Sequence, residues 1–316
     1  MVIKQRGNLT LIIPVVSFLV FSVSAEKFSF GQERSGYVST GRDSLYYEVY
    51  GRGFPLVVLH GGPGLDHTYL LPQMLSLSKK CELIFYDQRA SGKSGGDVDS
   101  ASITIEHFVN DLDRLREGLH LKRINILGHS WGGLLAMEYA IRYPVRVRKI
   151  ILVSSIGPTP EWEIPFTSNR EGRRTPNDSA ALAGIMASGA FINRVPPVME
   201  QFARLFFRSY FYNQNLADSL TITFSPETSK NFLAIFALMS REFARYDISS
   251  ELSKLTCPVL ILHGEEDPIP LETAKLIQSS IPGSKLVALK KCGHFPFVEA
   301  PVQFFRNCQK FLVNGR

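Results

Sequence analysis

The sequence predicts an α/β fold, with helices flanking a mostly parallel central sheet and an inserted lobe made only of helix. Three observations carry this. Strand-length runs such as Leu56-Val57-Val58-Leu59, Leu83-Ile84-Phe85-Tyr86, Ile124-Asn125-Ile126-Leu127 and Ile150-Ile151-Leu152-Val153 alternate with helical segments, as strands buried on both faces do. Between 158 and 247 that alternation stops, and only segments of helical composition are found. From Pro258-Val259-Leu260-Ile261-Leu262 it resumes and runs to the end of the chain. Right-handed crossovers in such a sheet put functional residues on the loops after the strand carboxyl ends.

In chain order, residues 1–25 read as an export leader. Lys4 and Arg6 form a basic start, 9–23 is apolar apart from Thr10, Ser17 and Ser22, and Val23-Ser24-Ala25 offers a small-x-small cleavage site. The apolar run of roughly 15 residues falls short of the roughly 20 that span a bilayer. A mature chain beginning near Glu26, secreted or periplasmic, is the expectation. Of the 316 residues, 45% are hydrophobic, enough for one large core with an inserted lobe. Loss of Lys4 and Arg6 lowers the formal charge from +6 to about +4, and no long basic run points to nucleic acid or a membrane surface. Cys81, Cys257, Cys292 and Cys308 are scattered, with no metal or redox spacing, and no metal is assigned. Disulfides and buried free thiols both remain open.

Tyr37-Val38-Ser39-Thr40 and Leu45-Tyr46-Tyr47-Glu48-Val49-Tyr50 predict an antiparallel hairpin around Gly41-Arg42-Asp43-Ser44. The first parallel strand, 55–59, runs straight into His60-Gly61-Gly62-Pro63-Gly64, whose glycines let backbone amides approach a ligand. The strand at 83–86 leads into Asp87-Gln88-Arg89-Ala90-Ser91-Gly92-Lys93-Ser94. Its Gly-Lys-Ser tail lacks the first glycine of a phosphate loop, which would fall at Asp87. Asp87 and Arg89 are read as structural.

A helix over 105–118 and the strand 124–127 lead to Gly128-His129-Ser130-Trp131-Gly132-Gly133, followed by helical residues 134–143. This is a serine on a sharp strand-to-helix turn, with glycine two residues before and after it, where side chains would collide. The amide and dipole of the following helix favour negative charge beside the serine. In the lobe, 180–187, 198–210 and 230–245 read as helices. Beyond it, His263-Gly264-Glu265-Glu266-Asp267-Pro268 follows the strand 258–262, and Gly293-His294-Phe295-Pro296-Phe297 follows the strand 285–289; helices are expected over 271–279 and 301–312. Asp267 is the acid chosen, with Glu266 as alternative, and His294 is the base. His60 and His129 are neighbours of the site, while His67, His107, His120 and His263 are read as ordinary.

The order Ser130, Asp267, His294 is that of the α/β-hydrolase fold. With His-Gly-Gly-Pro-Gly, Asp-Gln-Arg-x-x-Gly-x-Ser, Gly-His-Ser-Trp-Gly-Gly and Gly-His-Phe-Pro-Phe-Val-Glu-Ala-Pro, the chain resembles the proline iminopeptidase-like branch of that superfamily, peptidase family S33, over 37–157 and 248–316. The resemblance implies a core over 26–157 and 248–316, a helical cap over 158–247, and an enzyme releasing an N-terminal residue, preferably proline, from peptides. It also implies cap carboxylates that hold the substrate's free amine. Glu161, Glu163, Glu200, Glu227 and Glu242 are the candidates, with Glu242 the single choice. Ala90 stands where the family usually has glycine. The expected mechanism is an acyl-enzyme on Ser130 with the Gly62 and Trp131 amides as oxyanion hole and no cofactor. Alternatives are a carboxylesterase or other small-acyl hydrolase with the same triad, and a binding protein that has lost turnover. The substrate is a small peptide or acyl compound, with no nucleic acid and no stable membrane insertion; the oligomeric state is left open.

Overall fold

The computed structural model describes residues 32–313; the expected leader lies outside the described residues. Strands β1 (Gln32–Ser39) and β2 (Ser44–Tyr50) form the expected hairpin, with Tyr37 opposite Tyr46. They are followed by β3 (Phe54–Leu59), β4 (Cys81–Tyr86), β5 (Ile124–His129), β6 (Val147–Val153), β7 (Val259–Gly264) and β8 (Lys285–Leu289). The eight form one sheet in the order β1-β2-β4-β3-β5-β6-β7-β8, antiparallel at β1-β2 and β2-β4 and parallel elsewhere.

The parallel strands read as continuous apolar runs because both faces are covered. Alternate side chains go to opposite layers: Val57, Leu59, Ile126, Ile150 and Ile261 pack on one face. Leu56, Val58, Leu127, Ile151 and Leu260 pack on the other. The first face is covered by α2 (Ile105–Gly118), α3 (Trp131–Arg142) and α9 (Leu271–Ser280). The second is covered by α1 (Leu71–Met74), α10 (Pro296–Glu299) and α11 (Pro301–Val313). Thr104 starts α2 as its cap, accepting from the His107 amide.

Between β6 and β7 the chain forms no strand; its helices are α4 (Glu163–Arg173), α5 (Pro176–Ala187), α6 (Gly189–Ile192), α7 (Pro196–Arg208) and α8 (Pro226–Phe243), besides short 3₁₀ segments. Proline stands at the first position of α5, α7 and α8, where its missing amide costs nothing. The two ends of this insertion are tied together. Tyr246 donates its hydroxyl to Gly157 O (2.7 Å) and accepts from Trp162 Nε1 (2.7 Å), and the Ile248 amide donates to Pro158 O (3.0 Å). All four cysteines are free thiols, three of them buried. Among the described residues no helix is long and apolar enough to cross a membrane.

Candidate active site

Ser130 sits between β5 and α3 with φ 56° and ψ −119°, a conformation that L residues rarely adopt and that costs about 1–3 kcal/mol. The neighbouring backbone holds it there: its amide donates to Val153 O (2.9 Å), and the Gly133 amide donates to Ser130 O (2.9 Å). The flanking glycines are a steric necessity. A Cβ at Gly128 would lie 2.1 Å from Gly132 O, and one at Gly132 would lie 2.4 Å from Leu59 O.

Asp267 and His294 come together although 27 residues apart. Both carboxylate oxygens of Asp267 lie 3.0 Å from His294 Nδ1. Oδ1 also accepts from the Ile269 amide (2.9 Å). Burial pushes the Asp267 carboxyl up, but the imidazoles of His294 and His263 and its hydrogen bonds outweigh that and hold it below the usual aspartate value. Glu266 goes elsewhere: it is exposed, its carbonyl accepts from Arg173, and its carboxylate lies 3.6 Å from the same guanidinium. His263, fully buried, donates from Nε2 to Ile269 O (2.8 Å) across this loop.

The other two motif histidines build a frame around the site. The Gly61 amide donates to the Tyr69 hydroxyl (2.7 Å), which donates to His129 Nδ1 (2.7 Å); His129 Nε2 in turn donates to His294 O (2.9 Å). The bond to a carbonyl fixes the His129 tautomer. Burial, and then repulsion from His294, lowers His129 to about 3, so it stays neutral. His60 is likewise lowered to about 4 by burial. It donates from Nδ1 to Gly61 O (3.0 Å) and accepts at Nε2 from the Gln88 amide (3.1 Å).

Gln88, in the quoted Asp-Gln-Arg motif but given no role at the sequence level, joins the two amide-bearing loops. Its Nε2 donates to His60 O (2.8 Å), and its Oε1 accepts from Trp131 Nε1 (2.7 Å). Asp87 bonds His67 Nδ1 (2.6 Å) and the Lys93 amide (2.8 Å), and Arg89 forms a two-pronged pair with Asp111 (2.8 Å each). His67 is therefore not ordinary. Its Nε2 faces Glu48 at 3.5 Å; burial opposes its charge, but the two carboxylates prevail and raise it to about 10. Ala90 keeps the left-handed backbone (φ 58°) that a glycine would adopt freely.

Ser130, His294, Gly62 and Trp131 all line one cavity of about 290 Å³ beneath the helical insertion. Trp131 is the first residue of α3, so its amide has no acceptor within the helix. Gly62 has φ 51° and would press a Cβ to 2.6 Å from Leu65. Glu242 is not part of this lining, which corrects the expectation for it. On α8 the cavity face is Phe232, Phe236, Ser240 and Phe243. Glu242 lies about 200° around the helix from Ser240 and accepts from the Ile105 amide at the start of α2 (3.2 Å). The carboxylate that does line the cavity is Glu163, at the start of α4.

A serine on a strained strand-to-helix turn, sharing a cavity under a helical insertion with the histidine of an Asp-His pair, defines a class. Residues 55–301 match the model of the α/β hydrolase fold, and the chain belongs to that family. It is 30% identical over 294 residues to a proline iminopeptidase of Heyndrickxia coagulans, covering 87% of this chain and 96% of that one. The fold is also that of the crystal structure of VinJ (TM-score 0.69, 21% identity, 89% and 99% covered). The proline iminopeptidase of Mycobacterium smegmatis has it too (TM-score 0.64, 24% identity, 88% and 97% covered). The protein is thus a proline iminopeptidase-like enzyme, a hydrolase.

Proposed function

We propose that the protein is a serine aminopeptidase that releases an N-terminal residue, proline foremost, from peptides. One observation carries the reading: the Asp267 carboxylate holds His294 Nδ1 through both oxygens, in a cavity that Ser130 also lines. That bond keeps the proton on Nδ1 and leaves Nε2 free to take the proton of Ser130 as its oxygen attacks the scissile carbonyl. The Gly62 and Trp131 amides receive the oxyanion, a donor of this kind being worth roughly 100- to 1,000-fold in turnover. His294 returns the proton to the departing amine, then removes one from the water that cleaves the acyl-enzyme, so Ser130 regains its hydroxyl. Glu163 supplies the counter-charge that a buried substrate ammonium needs.

A second reading, a carboxylesterase or small-acyl hydrolase with the same triad, is favoured by the lining, which is otherwise mainly apolar and aromatic. The deciding experiment compares proline p-nitroanilide, N-blocked proline p-nitroanilide and p-nitrophenyl butyrate, with Ser130→Ala as control. Cleavage confined to the free-amine anilide, and lost in the variant, supports the aminopeptidase. Ester turnover without anilide cleavage moves the reading to the esterase. We also infer export through a leader cleaved after Ala25; N-terminal sequencing of protein from culture medium or periplasm should then begin at Glu26.

A further inference from the structure

The cavity contains a cation that the mechanism above does not use. Arg170 lines it from α4, seven residues after Glu163 and so on the same face, about 10 Å along the helix axis. Its guanidinium is sandwiched by aromatic rings, 5.5 Å from the Phe166 centroid and 4.9 Å from that of Phe206, with its side chain only 15% exposed. Arg174, 13% exposed, approaches the same Phe206 ring at 5.9 Å.

A single carboxylate serves both guanidiniums. Glu171 accepts from Arg170 (2.8 Å) and from Arg174 (3.3 and 3.2 Å), and is itself half exposed. The Nε atoms of Arg170 and Arg174 are buried with no hydrogen-bond partner. Tyr210, whose hydroxyl interacts with Arg170, is neutral and leaves the charge balance unchanged. Around the Phe206 ring one positive charge is therefore in excess, the Glu163 carboxylate lying two turns away on the same helix. Cations at the end of a helix are favoured by its dipole, but that does not require one to line a mainly apolar cavity. A desolvated charge of this kind calls for an opposite charge.

We propose that Arg170, backed by Arg174, receives a carboxylate on the leaving portion of the substrate. This rests on the aminopeptidase reading, in which Glu163 holds the amine. The two charges on α4 then match the two ends of a zwitterion. Their backbone positions, about 10 Å apart along the helix axis, are separated by roughly three extended residues, and both side chains line the cavity. A cavity of about 290 Å³ lies at the lower end of the roughly 300–1,000 Å³ of small-molecule sites. The preferred substrates are accordingly proline dipeptides with a free C-terminus, ahead of blocked or long peptides.

The test is binding of Pro-Ala and of Pro-Ala amide to the full-length Ser130→Ala variant by calorimetry, which requires no turnover. The acid should bind at least 10-fold more tightly than the amide. Adding Arg170→Gln should reduce that ratio to within 2-fold, and Arg170→Lys, which keeps the charge, should retain at least 3-fold. Equal binding of acid and amide, binding of neither, or an undiminished ratio in a folded Arg170→Gln protein overturns the proposal. Turnover of proline p-nitroanilide by the unmodified enzyme is read separately. Turnover combined with equal binding rejects the carboxylate site alone, whereas acid-dependent binding without turnover supports that site and removes the aminopeptidase reading.

Discussion

Replacing Gln88 with leucine should damage stability and turnover together, because this one buried amide spans the two loops that carry the oxyanion donors. The side chain is 1% exposed, and leucine nearly reproduces its volume while leaving the backbone bond to His60 Nε2 in place. Two groups lose their partners: His60 O, 2.8 Å from Nε2, and Trp131 Nε1, 2.7 Å from Oε1. His60 and Trp131 are both buried, so water does not replace the lost bonds. A buried group left unpaired costs about 1–3 kcal/mol, and two of them about 2–6 kcal/mol. At about 2–4 °C per kcal/mol for domains of 150–250 residues, and nearer the lower value for a longer chain, the melting temperature should fall by roughly 4–12 °C. The Gly62 and Trp131 amides lose their common tether, so kcat should drop on the order of 10- to 100-fold, within what one misaligned donor costs, with little change in KM. Urea titration at constant slope measures the first quantity and steady-state kinetics the second. A Gln88→Leu enzyme within about 0.5 kcal/mol of the parent and with unchanged kcat would refute the reasoning.

Asp267→Asn should lower kcat roughly 10,000-fold by permitting the wrong His294 tautomer; a loss below 10-fold would remove Asp267 from the mechanism. Glu163→Gln should raise KM for proline p-nitroanilide by at least 10-fold while sparing p-nitrophenyl butyrate, and a parallel effect on both substrates would count against an amine-binding role. Gly132→Ala forces a Cβ to 2.4 Å from Leu59 O and 2.8 Å from His60 O, both backbone atoms, so a loss of about 1–3 kcal/mol should accompany inactivity; normal thermal unfolding would contradict the packing. His67 is raised to about 10 in the folded state, so its contribution is complete below about 6.5 and is lost as pH rises toward 10. Stability measured from pH 6.5 to 10 should fall, and His67→Gln should flatten that slope.

How legible each part was in the sequence follows from what it buries. Strands β3 to β7 are covered on both faces, so their apolar runs stood out and placed the loops bearing Ser130, Asp267 and His294. Helix α4 was missed for the opposite reason. Its cavity-facing residues, Glu163, Phe166, Thr167 and Arg170, have helical spacing but only one of the four is apolar, and no residue of the helix is fully buried. Helix α10, at four residues, is too short to show a period. Helix α8 is predicted from its composition, which leaves its phase open. The run Phe232, Phe236, Ser240, Phe243 marks the cavity face, and Glu242 falls outside it. Gln88 was visible only as a letter in a motif, because its partners lie 28 and 43 residues away.

The loop that presents His294 is built partly from the insertion. The His294 amide donates to Tyr210 O (2.9 Å), and Gly293 sits where a Cβ would be 2.3 Å from that same oxygen. The Glu299 carboxylate accepts from the Gly293 amide (2.7 Å) and the Asn213 amide (2.9 Å). Asn169 of α4 donates to Pro268 O (3.0 Å), next to Asp267. The insertion is therefore not an interchangeable module. Grafting one from a relative to alter substrate range would also remove the backbone supports of the acid and base loops. A functional chimera must carry residues 210–213 and 169 along with the new specificity, or acquire their equivalents.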